Sequence, residues 1–372
     1  MSQVTKVPLL DLRRQTKEID DEMRRAFDRV LTSGHYILGP EVEALEKACA
    51  AYVGTKYALG VSSGSDALIM ALMAMCIGPG DEVICPTYSF FATAGAIWRV
   101  GAKPVFVDVD PHTFNIDPNA IAKAITKKTR AVMPVHLFGQ CADMDAVKQA
   151  AGSLPIIEDA AQAIGATYKG KGAGAMSQIG SFSFFPSKNL GALGDAGFVT
   201  TDDPELYEQL RIIRVHGGKS EYHHAMVGGN FRIDALQAAL ISVKLPHLDA
   251  ATAQRQKNAA LYTKLLLPLS DKLELPCAGT DRHIFNQFCP LVRDGSRDAL
   301  QAFLKERNIA TKVYYPVPLH LQACFASLGG KAGDMPVAES LAKNSIALPI
   351  FPELTEAEIT YVADAISAFF KK

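Results

Sequence analysis

Short runs of apolar and β-branched residues alternate with longer helical patterns through the first two-thirds of the chain. Predicted strands lie at 57–61, 82–85, 104–107, 130–135, 155–159, 180–184 and 197–200. Predicted helices separate most of them, at 66–76, 89–99, 118–126, 143–151 and 203–214. This alternation predicts an α/β fold with a mostly parallel sheet covered by helices on both faces. Ligands of such sheets bind at the carboxyl ends of the strands.

The pattern changes after an amphipathic helical segment at 233–245. Pro246 and the polar stretch 249–258 follow it. Beyond them the predicted elements are helices at 255–269, 296–308, 336–344 and 355–370 and strands at 286–293 and 310–313. We therefore expect a large domain over 1–250 and a smaller α+β domain over 251–372.

Charge and composition narrow the class of protein. The 38 basic and 39 acidic side chains nearly cancel and form no long single-sign run, so we expect neither nucleic-acid nor membrane-surface binding. The seven cysteines are scattered without a CxxC, which favours reduced thiols over disulfides or zinc. The charged N-terminus is unlike a signal peptide, and the longest apolar stretch, 67–78, is too short to span a bilayer. The sequence thus predicts a cytoplasmic protein, and no metal site is expected from the histidines at 216, 223 and 224.

Asp159 and Lys188 carry the main chemical signal. The aspartate closes an apolar run, and the lysine lies in SFFPSKNLGALGDAG among aromatic and small residues. Burial of this kind lowers the pKa of an amine and makes it a better nucleophile. A lysine that binds pyridoxal 5'-phosphate and an aspartate that keeps its pyridine nitrogen protonated form such a pair. The alternative for Lys188 is an ordinary solvated surface lysine.

A phosphate site is predicted where the first strand runs into SSGSDAL. Gly64 and Ser65 would open a helix there, and a helix N-terminus binds anions through its unpaired N–H groups. The alternative is that Ser65 or Asp66 is only a helix cap. Ser183, five residues before Lys188, is a second candidate donor, or else a buried serine bonded to the backbone.

Two further side chains suit the cofactor ring. Phe90 could stack on the pyridine face, although aromatic residues more often pack in a core. Gln162 follows Asp159 by three residues and could donate to the phenolic oxygen of the cofactor. Its alternative is an exposed glutamine at the start of a helix.

Five ordered segments resemble one known family. They are SSGSDAL, EDAAQA, SFFPSKNLGALGDAG, GGNFRIDALQAAL and YYPVPLHLQ. Together they are similar to the signature blocks of the DegT/DnrJ/EryC1/StrS family of nucleotide-sugar aminotransferases. The resemblance covers essentially the whole chain and implies a fold-type I pyridoxal phosphate enzyme that works as a homodimer.

The resemblance implies a role for each candidate residue. Lys188 matches the lysine that forms the Schiff base, and Asp159 matches the partner of the pyridine nitrogen. The other cofactor positions matched are Gln162 at the ring oxygen, Phe90 on the ring face, Gly64, Ser65 and Ser183 at the phosphate, and Asn230 reaching the phosphate from the neighbouring subunit.

The substrate is implied less specifically. Local stretches look most like enzymes that transfer the amino group of L-glutamate to a UDP-linked 3-keto sugar derived from N-acetylglucosamine, or to its uronic acid, for lipopolysaccharide and O-antigen aminosugars. Arg232 suits a sugar carboxylate or a diphosphate, or a structural ion pair. The remaining substrate candidates are Tyr314, Tyr315 and His320. Tyr314 stands where the family often has histidine, which weakens the case for a carboxylated sugar.

Two other functions remain open from the sequence. One keeps the fold and chemistry but uses a dTDP-linked 3-keto-6-deoxyhexose. The other is a pyridoxal phosphate-binding regulator without turnover, which the presence of both Lys188 and Asp159 disfavours.

Overall fold

The computed structural model describes residues 4–220, 222–279 and 281–371. Its strands are β1 (Tyr57–Val61), β2 (Glu82–Pro86), β3 (Lys103–Val107), β4 (Thr129–Val132), β5 (Ile157–Asp159), β6 (Thr167–Tyr168), β7 (Lys171–Gly172), β8 (Ile179–Ser183), β9 (Gly197–Thr201), β10 (Gly218–Ser220), β11 (His223–His224), β12 (Leu273–Glu274) and β13 (Leu291–Val292). Its helices are α1 (Leu12–Glu18), α2 (Asp20–Ser33), α3 (Pro40–Val53), α4 (Gly64–Ala74), α5 (Ala92–Arg99), α6 (Pro118–Ala124), α7 (Met144–Ala151), α8 (Pro204–Ile213), α9 (Ala235–Lys244), α10 (Leu248–Leu266), α11 (Arg297–Glu306), α12 (Pro336–Asn344) and α13 (Glu356–Phe370).

A central sheet runs in the order β3-β2-β4-β5-β8-β9-β1. Single bridges from Val132 to Ile156 and from Val135 to Asp159 join its two halves. The pairs β2–β3, β2–β4 and β5–β8 are parallel, whereas β9 is antiparallel to both of its neighbours. The predicted α/β fold with a mostly parallel sheet is confirmed, and all seven predicted strands of this region form.

Successive residues of the strands pack into two separate apolar cores. Val83 and Cys85 of β2 belong to the core with α4 and α5, while Ile84 between them packs with α2, α3 and α9. Successive side chains of a strand point to opposite faces, so the two cores cover the two faces of the sheet.

A third core gathers the C-terminal elements α10, α11 and α13. Val7 also belongs to it, and its backbone pairs with Ile309 in a parallel bridge. The boundary near residue 250 stays a prediction, and the N-terminal segment crosses back onto the C-terminal elements.

The predicted C-terminal strands are shorter than expected. Of 286–293 the structure forms β13 and two single bridges, from Phe288 to Leu348 and from Leu291 to Ser345, since Pro290 has no N–H for a continuous ladder. Of 310–313 only a bridge from Lys312 to Ala347 forms. Two residues further on, the Tyr314 carbonyl accepts a hydrogen bond from the Tyr88 hydroxyl and not from a neighbouring strand. Among the described residues, none of the helices combines the length and apolar character that a bilayer crossing requires.

Candidate active site

The predicted site lies at the carboxyl edge of the sheet. Asp159 is the last residue of β5, and its backbone N–H donates to the Pro134 carbonyl at 2.9 Å. Its carbonyl accepts from the His136 N–H at 3.0 Å. The segment 62–65, which follows β1, leaves the sheet at the same edge because β1 and β5 run in the same direction. The fold therefore brings both predicted regions to one end of the sheet.

The Asp159 carboxylate is buried and held at both oxygens. Oδ2 accepts from the Thr93 hydroxyl at 2.8 Å, and Oδ1 accepts from the Ala161 N–H at 3.2 Å. Burial raises the pKa of Asp159, while these two hydrogen bonds and the charge of Lys188 act in the opposite direction. A buried carboxylate with so few donors suits a cationic partner, such as a protonated ring nitrogen.

Lys188 lies in the loop that connects β8 to β9. Its backbone N–H donates to the Phe185 carbonyl at 2.8 Å. Desolvation lowers the pKa of Lys188 to about 8, and the charge of Asp159 opposes that shift. The neutral amine, which attacks a carbonyl group, is therefore far more populated near neutral pH than in an ordinary lysine, at about a tenth of the total at pH 7.

Gly64 and Ser183 meet where α4 begins. A Cβ on Gly64 would lie 2.6 Å from the Ser183 Cβ, so only glycine permits this approach. Ser63 caps α4 by accepting from the Asp66 N–H at 3.1 Å, so the cap is neither Ser65 nor Asp66. The three predicted phosphate residues, Gly64, Ser65 and Ser183, thus share one helix N-terminus, where the backbone favours an anion.

Gln162 and Phe90 are both linked to Tyr315. The Gln162 Oε1 accepts from the Phe138 N–H at 2.8 Å, which fixes the amide so that Nε2 donates to the Tyr315 hydroxyl at 3.0 Å. The rings of Phe90 and Tyr315 lie 6.2 Å apart. More than half of Phe90 is exposed, so its ring is not packed in a core. The second N–H of the Gln162 amide suits a ring oxygen.

Tyr88 holds the Tyr314–Tyr315 segment in place. Its hydroxyl donates to the Tyr314 carbonyl and accepts from the Tyr315 N–H at 2.9 Å. Burial raises the pKa values of both Tyr314 and Tyr315, so both phenols stay neutral at physiological pH. They can exchange hydrogen bonds with a sugar but cannot supply a positive charge.

Asn230 and Arg232 line a pocket of about 300 Å³ beside β1. Ser62, Asp195 and Gln237 line it too, and Ile37 and Asp234 complete its wall. The Arg232 Nε is buried and has no hydrogen-bond partner among the described residues. An unsatisfied guanidinium N–H is costly in a folded protein, so an oxyanion suits this pocket.

His320 is placed differently from the other substrate candidates. Its side chain is buried, with Nδ1 2.7 Å from the Thr87 hydroxyl and Nε2 3.3 Å from the Glu339 carboxylate. Both ring nitrogens are therefore engaged within the fold, which favours a structural contact.

Sequence reasoning missed the groups behind Asp159. Glu158 is fully buried and accepts hydrogen bonds from His136 Nε2, the Gly174 and Met176 N–H groups and the Ser177 hydroxyl, at 2.7–2.8 Å. Although desolvation acts to raise its pKa, these donors together hold the pKa of Glu158 below its usual range. The adjacent acids in EDAAQA were the only local signal. Thr93 and Tyr88 gave none, because their partners are far away in sequence.

The residues present fit pyridoxal 5'-phosphate. The Lys188 amine suits the aldehyde, the buried Asp159 suits the pyridine nitrogen, and the approach of Gly64 to Ser183 leaves helix N–H groups for the phosphate.

Comparisons with known proteins identify the family of this chain. The model of the DegT/DnrJ/EryC1/StrS aminotransferase family matches residues 17–367. A "Pleiotropic regulatory protein" of Geobacillus stearothermophilus is 52% identical, over 98% of this chain and 99% of that protein. A UDP-N-acetyl-3-dehydro-alpha-D-glucosamine 3-aminotransferase of Acidithiobacillus ferrooxidans is 44% identical, over 98% of each chain. A dTDP-3-amino-3,4,6-trideoxy-alpha-D-glucose transaminase of Streptomyces venezuelae is also 44% identical, over 98% of this chain and 96% of that protein.

The fold comparison gives the same result. The crystal structure of S. venezuelae DesV in complex with a ketimine intermediate superposes with a TM-score of 0.96 at 43% identity, covering 99% of this chain and 100% of that one. With a family model spanning most of the chain and relatives matched nearly end to end, this protein belongs to the DegT/DnrJ/EryC1/StrS aminotransferase family and is an aminotransferase.

Proposed function

We propose that the protein transfers the amino group of L-glutamate to the 3-keto carbon of a UDP-linked sugar derived from N-acetylhexosamine. The observation that carries the aminotransferase chemistry is the pair formed by Asp159 and Lys188, in which burial lowers the pKa of the lysine to about 8. The cofactor is pyridoxal 5'-phosphate. When bound, it supplies an electron sink and carries the amino group between donor and acceptor.

The residues of the chain divide the work around that cofactor. Lys188 would hold the cofactor through its amine, and its Nζ would take and return the proton at the substrate carbon. Asp159 would pair with the ring nitrogen, while Gln162 and Phe90 would orient the ring at its edge and face. The N-terminus of α4, with Ser183, would bind the phosphate.

The pocket with Arg232 supports a nucleotide-sugar substrate. Its buried, unpartnered Nε and fork of donors suit the diphosphate of the nucleotide. The neutral phenols of Tyr314 and Tyr315 support the uncharged N-acetylglucosamine derivative over its uronic acid, because neither can neutralise a carboxylate. Asn230 lines the same pocket, and in a dimer it would reach the phosphate of the neighbouring subunit's cofactor.

A homodimer would complete the site. Ile37, in the wall of that pocket, and Phe185 and Leu193, on either side of Lys188 in sequence, are each more than half exposed. Apolar side chains exposed together beside a polar site support burial against a second copy of the chain. Since the seven cysteines are scattered without a CxxC, we place this dimer in the cytoplasm. There it would make aminosugars for lipopolysaccharide or O-antigen.

The dTDP-linked 3-keto-6-deoxyhexose is the second candidate substrate. A dTDP-sugar transaminase and a UDP-sugar aminotransferase are equally similar to this chain, at 44% identity. A regulator without turnover, the other function left open by the sequence, does not agree with membership of the aminotransferase family, although the Geobacillus relative is named a regulatory protein. Turnover of glutamate to 2-oxoglutarate tests this exclusion.

A substrate panel tests these alternatives. The purified protein is first converted with glutamate to its amino form. The UDP-linked 3-keto-N-acetylglucosamine, its uronic acid and a dTDP-linked 3-keto-6-deoxyhexose are then added separately, and the absorbance of the reformed lysine-bound cofactor is followed. Return with the neutral UDP sugar alone is expected. Return only with the uronic acid or only with the dTDP sugar would replace the proposed substrate.

A further inference from the structure

Three buried oxygen groups form a chain that ends at Asp159. The Ser89 and Thr93 hydroxyl oxygens are 2.8 Å apart, and the Thr93 hydroxyl lies 2.8 Å from the Asp159 Oδ2. All three side chains are at most 4% exposed. Because the Thr93 proton points to the carboxylate, Thr93 accepts the hydrogen bond of Ser89. Hydrogen bonds that end on an ionised group are among the stronger ones in proteins, and such a chain polarises its members.

The hydrogen-bonded series from Ser89 through Thr93 reaches only one oxygen of the Asp159 carboxylate, Oδ2. Thr93 is the side-chain donor to Asp159, and the Ala161 N–H occupies the other oxygen. The titratable groups that act on Asp159 from the elements around it are Lys188, His136, Cys85 and Tyr315. None of these four donates a hydrogen bond to the carboxylate among the described contacts. The direction in which the Oδ2 lone pairs point therefore depends on the Thr93 hydroxyl.

The same turn carries Phe90. The Thr93 N–H donates to the Phe90 carbonyl at 3.2 Å, and the hydroxyl bond between Ser89 and Thr93 spans this residue. Phe90 itself is 56% exposed and has no core to hold it. The turn from Ser89 to Thr93 thus contacts the Asp159 carboxylate and also contains Phe90. We expect the first at the ring nitrogen of the cofactor and the second at the ring face.

We propose that Thr93, supported by Ser89, is a positioning residue that sets the Asp159 carboxylate and the Phe90 ring together for the bound cofactor. This inference rests on the proposed function, since it assigns Asp159 and Phe90 to the pyridine ring. Thr93 itself touches neither the cofactor nor the substrate; it acts through Asp159.

The test replaces the hydroxyl by a methyl of the same size. We expect Thr93→Val to raise the dissociation constant of pyridoxamine 5'-phosphate about tenfold or more, because a hydrogen bond to a charged group is lost. The ¹⁵N shift of the labelled ring nitrogen should move toward the unprotonated value, and kcat should fall about tenfold while KM for glutamate changes less than twofold. Thr93→Ser keeps the hydroxyl and should restore all of these values to within about threefold.

Two more variants separate positioning from folding. Thr252→Val is the matched control, since Thr252 is fully buried and its hydroxyl has no partner among the described residues; it should leave cofactor affinity and the ring shift unchanged. Ser89→Ala removes only the second hydroxyl of the chain and should weaken cofactor binding about threefold.

The outcomes distinguish this inference from the proposed function. Unchanged affinity and ring shift in Thr93→Val, or a Thr93→Ser variant as impaired as Thr93→Val, would overturn the role of Thr93. If the native protein formed no 2-oxoglutarate from glutamate, the proposed function itself would fail, whereas retained transamination in Lys188→Ala would overturn only the assigned role of Lys188. Loss in Lys188→Ala with normal behaviour in Thr93→Val would overturn only the inference.

Discussion

Nε2 of His136 lies 2.8 Å from Oε2 of Glu158, and neither side chain is exposed. Nδ1 of His136 accepts from the Ala142 N–H at 3.1 Å, so Nε2 carries the proton that goes to Glu158. The pair links the end of β5 to the segment after β4. Asp159, the carboxylate proposed to meet the cofactor ring, follows Glu158 directly, so this anchored residue lies next to it on the opposite side of the strand.

Replacing Glu158 should therefore destabilise the fold. Glu158→Gln keeps the size but removes the charge that its donors satisfy, and it places an amide N–H₂ among N–H donors. We expect a loss of about 3 kcal/mol in the free energy of unfolding, measured by urea denaturation. The control is Asp145→Asn, which breaks an exposed pair with Lys169 and should leave the urea midpoint unchanged. A Glu158→Gln midpoint equal to that of the native protein would contradict the argument.

The reaction of Lys188 with the cofactor should depend on pH. Desolvation lowers the pKa of this amine to about 8, and only the neutral amine attacks an aldehyde. The rate at which the cofactor-free protein takes up pyridoxal phosphate should rise with a midpoint near pH 8 and level off about one pH unit above it. Absorbance after rapid mixing measures this rate.

Asp159 should affect the midpoint of this pH dependence. Its negative charge stabilises the protonated lysine, so Asp159→Asn should shift the midpoint to lower pH. A midpoint near the ordinary lysine value in the native protein, or one that moves upward in the variant, would contradict this account of the pair.

Gly64 should not tolerate a side chain. In Gly64→Ala the new Cβ would lie 2.6 Å from the Ser183 Cβ, so α4 or β8 must move and the phosphate donors separate. We expect at least a tenfold weaker affinity for pyridoxal phosphate, measured by equilibrium dialysis. Gly78→Ala is the control, because its new Cβ would meet nothing closer than 3.7 Å. Equal affinities in the two variants would show that this approach is unimportant.

Arg232 should act on the second substrate only. Arg232→Lys retains a positive charge but loses the planar fork of donors. KM for the nucleotide sugar should rise about tenfold, while the half-reaction with glutamate stays within twofold of native, as steady-state and single-turnover assays would show. The exposed Arg211→Lys serves as the control. A defect confined to the glutamate half-reaction would place Arg232 elsewhere in the mechanism.

The sequence predicts those parts of the site that lie within one segment. The strand ending in Asp159, the glycine before α4 and the loop with Lys188 each carry their own local pattern. Contacts between distant segments could not be predicted in this way. Thr93 is 66 residues from Asp159 and Gln162 is 153 residues from Tyr315, and no local periodicity records such pairs.

The fold shows the same division. The short apolar runs predicted the strands of the sheet, because a strand that is covered on both faces is apolar along its own sequence. The helices α1 to α3 were not predicted from their charged sequence, although Met23, Ala26 and Val30 of α2 form a narrow buried stripe. In the C-terminal part, the length of the strands depends on Pro290 and on which segments lie close enough to pair with them. The pattern of β-propensities along the sequence does not contain this information.

Transfer of labelled nitrogen tests the central claim most directly. The protein is incubated with pyridoxal phosphate, [¹⁵N]glutamate and the UDP-linked 3-keto-N-acetylglucosamine, and the nucleotide sugar is examined by mass spectrometry. Our account predicts an aminosugar product that carries the ¹⁵N label, together with 2-oxoglutarate, and no such product with Lys188→Ala. Cofactor binding without label in this sugar, its uronic acid or the dTDP-linked ketosugar would contradict the proposed function.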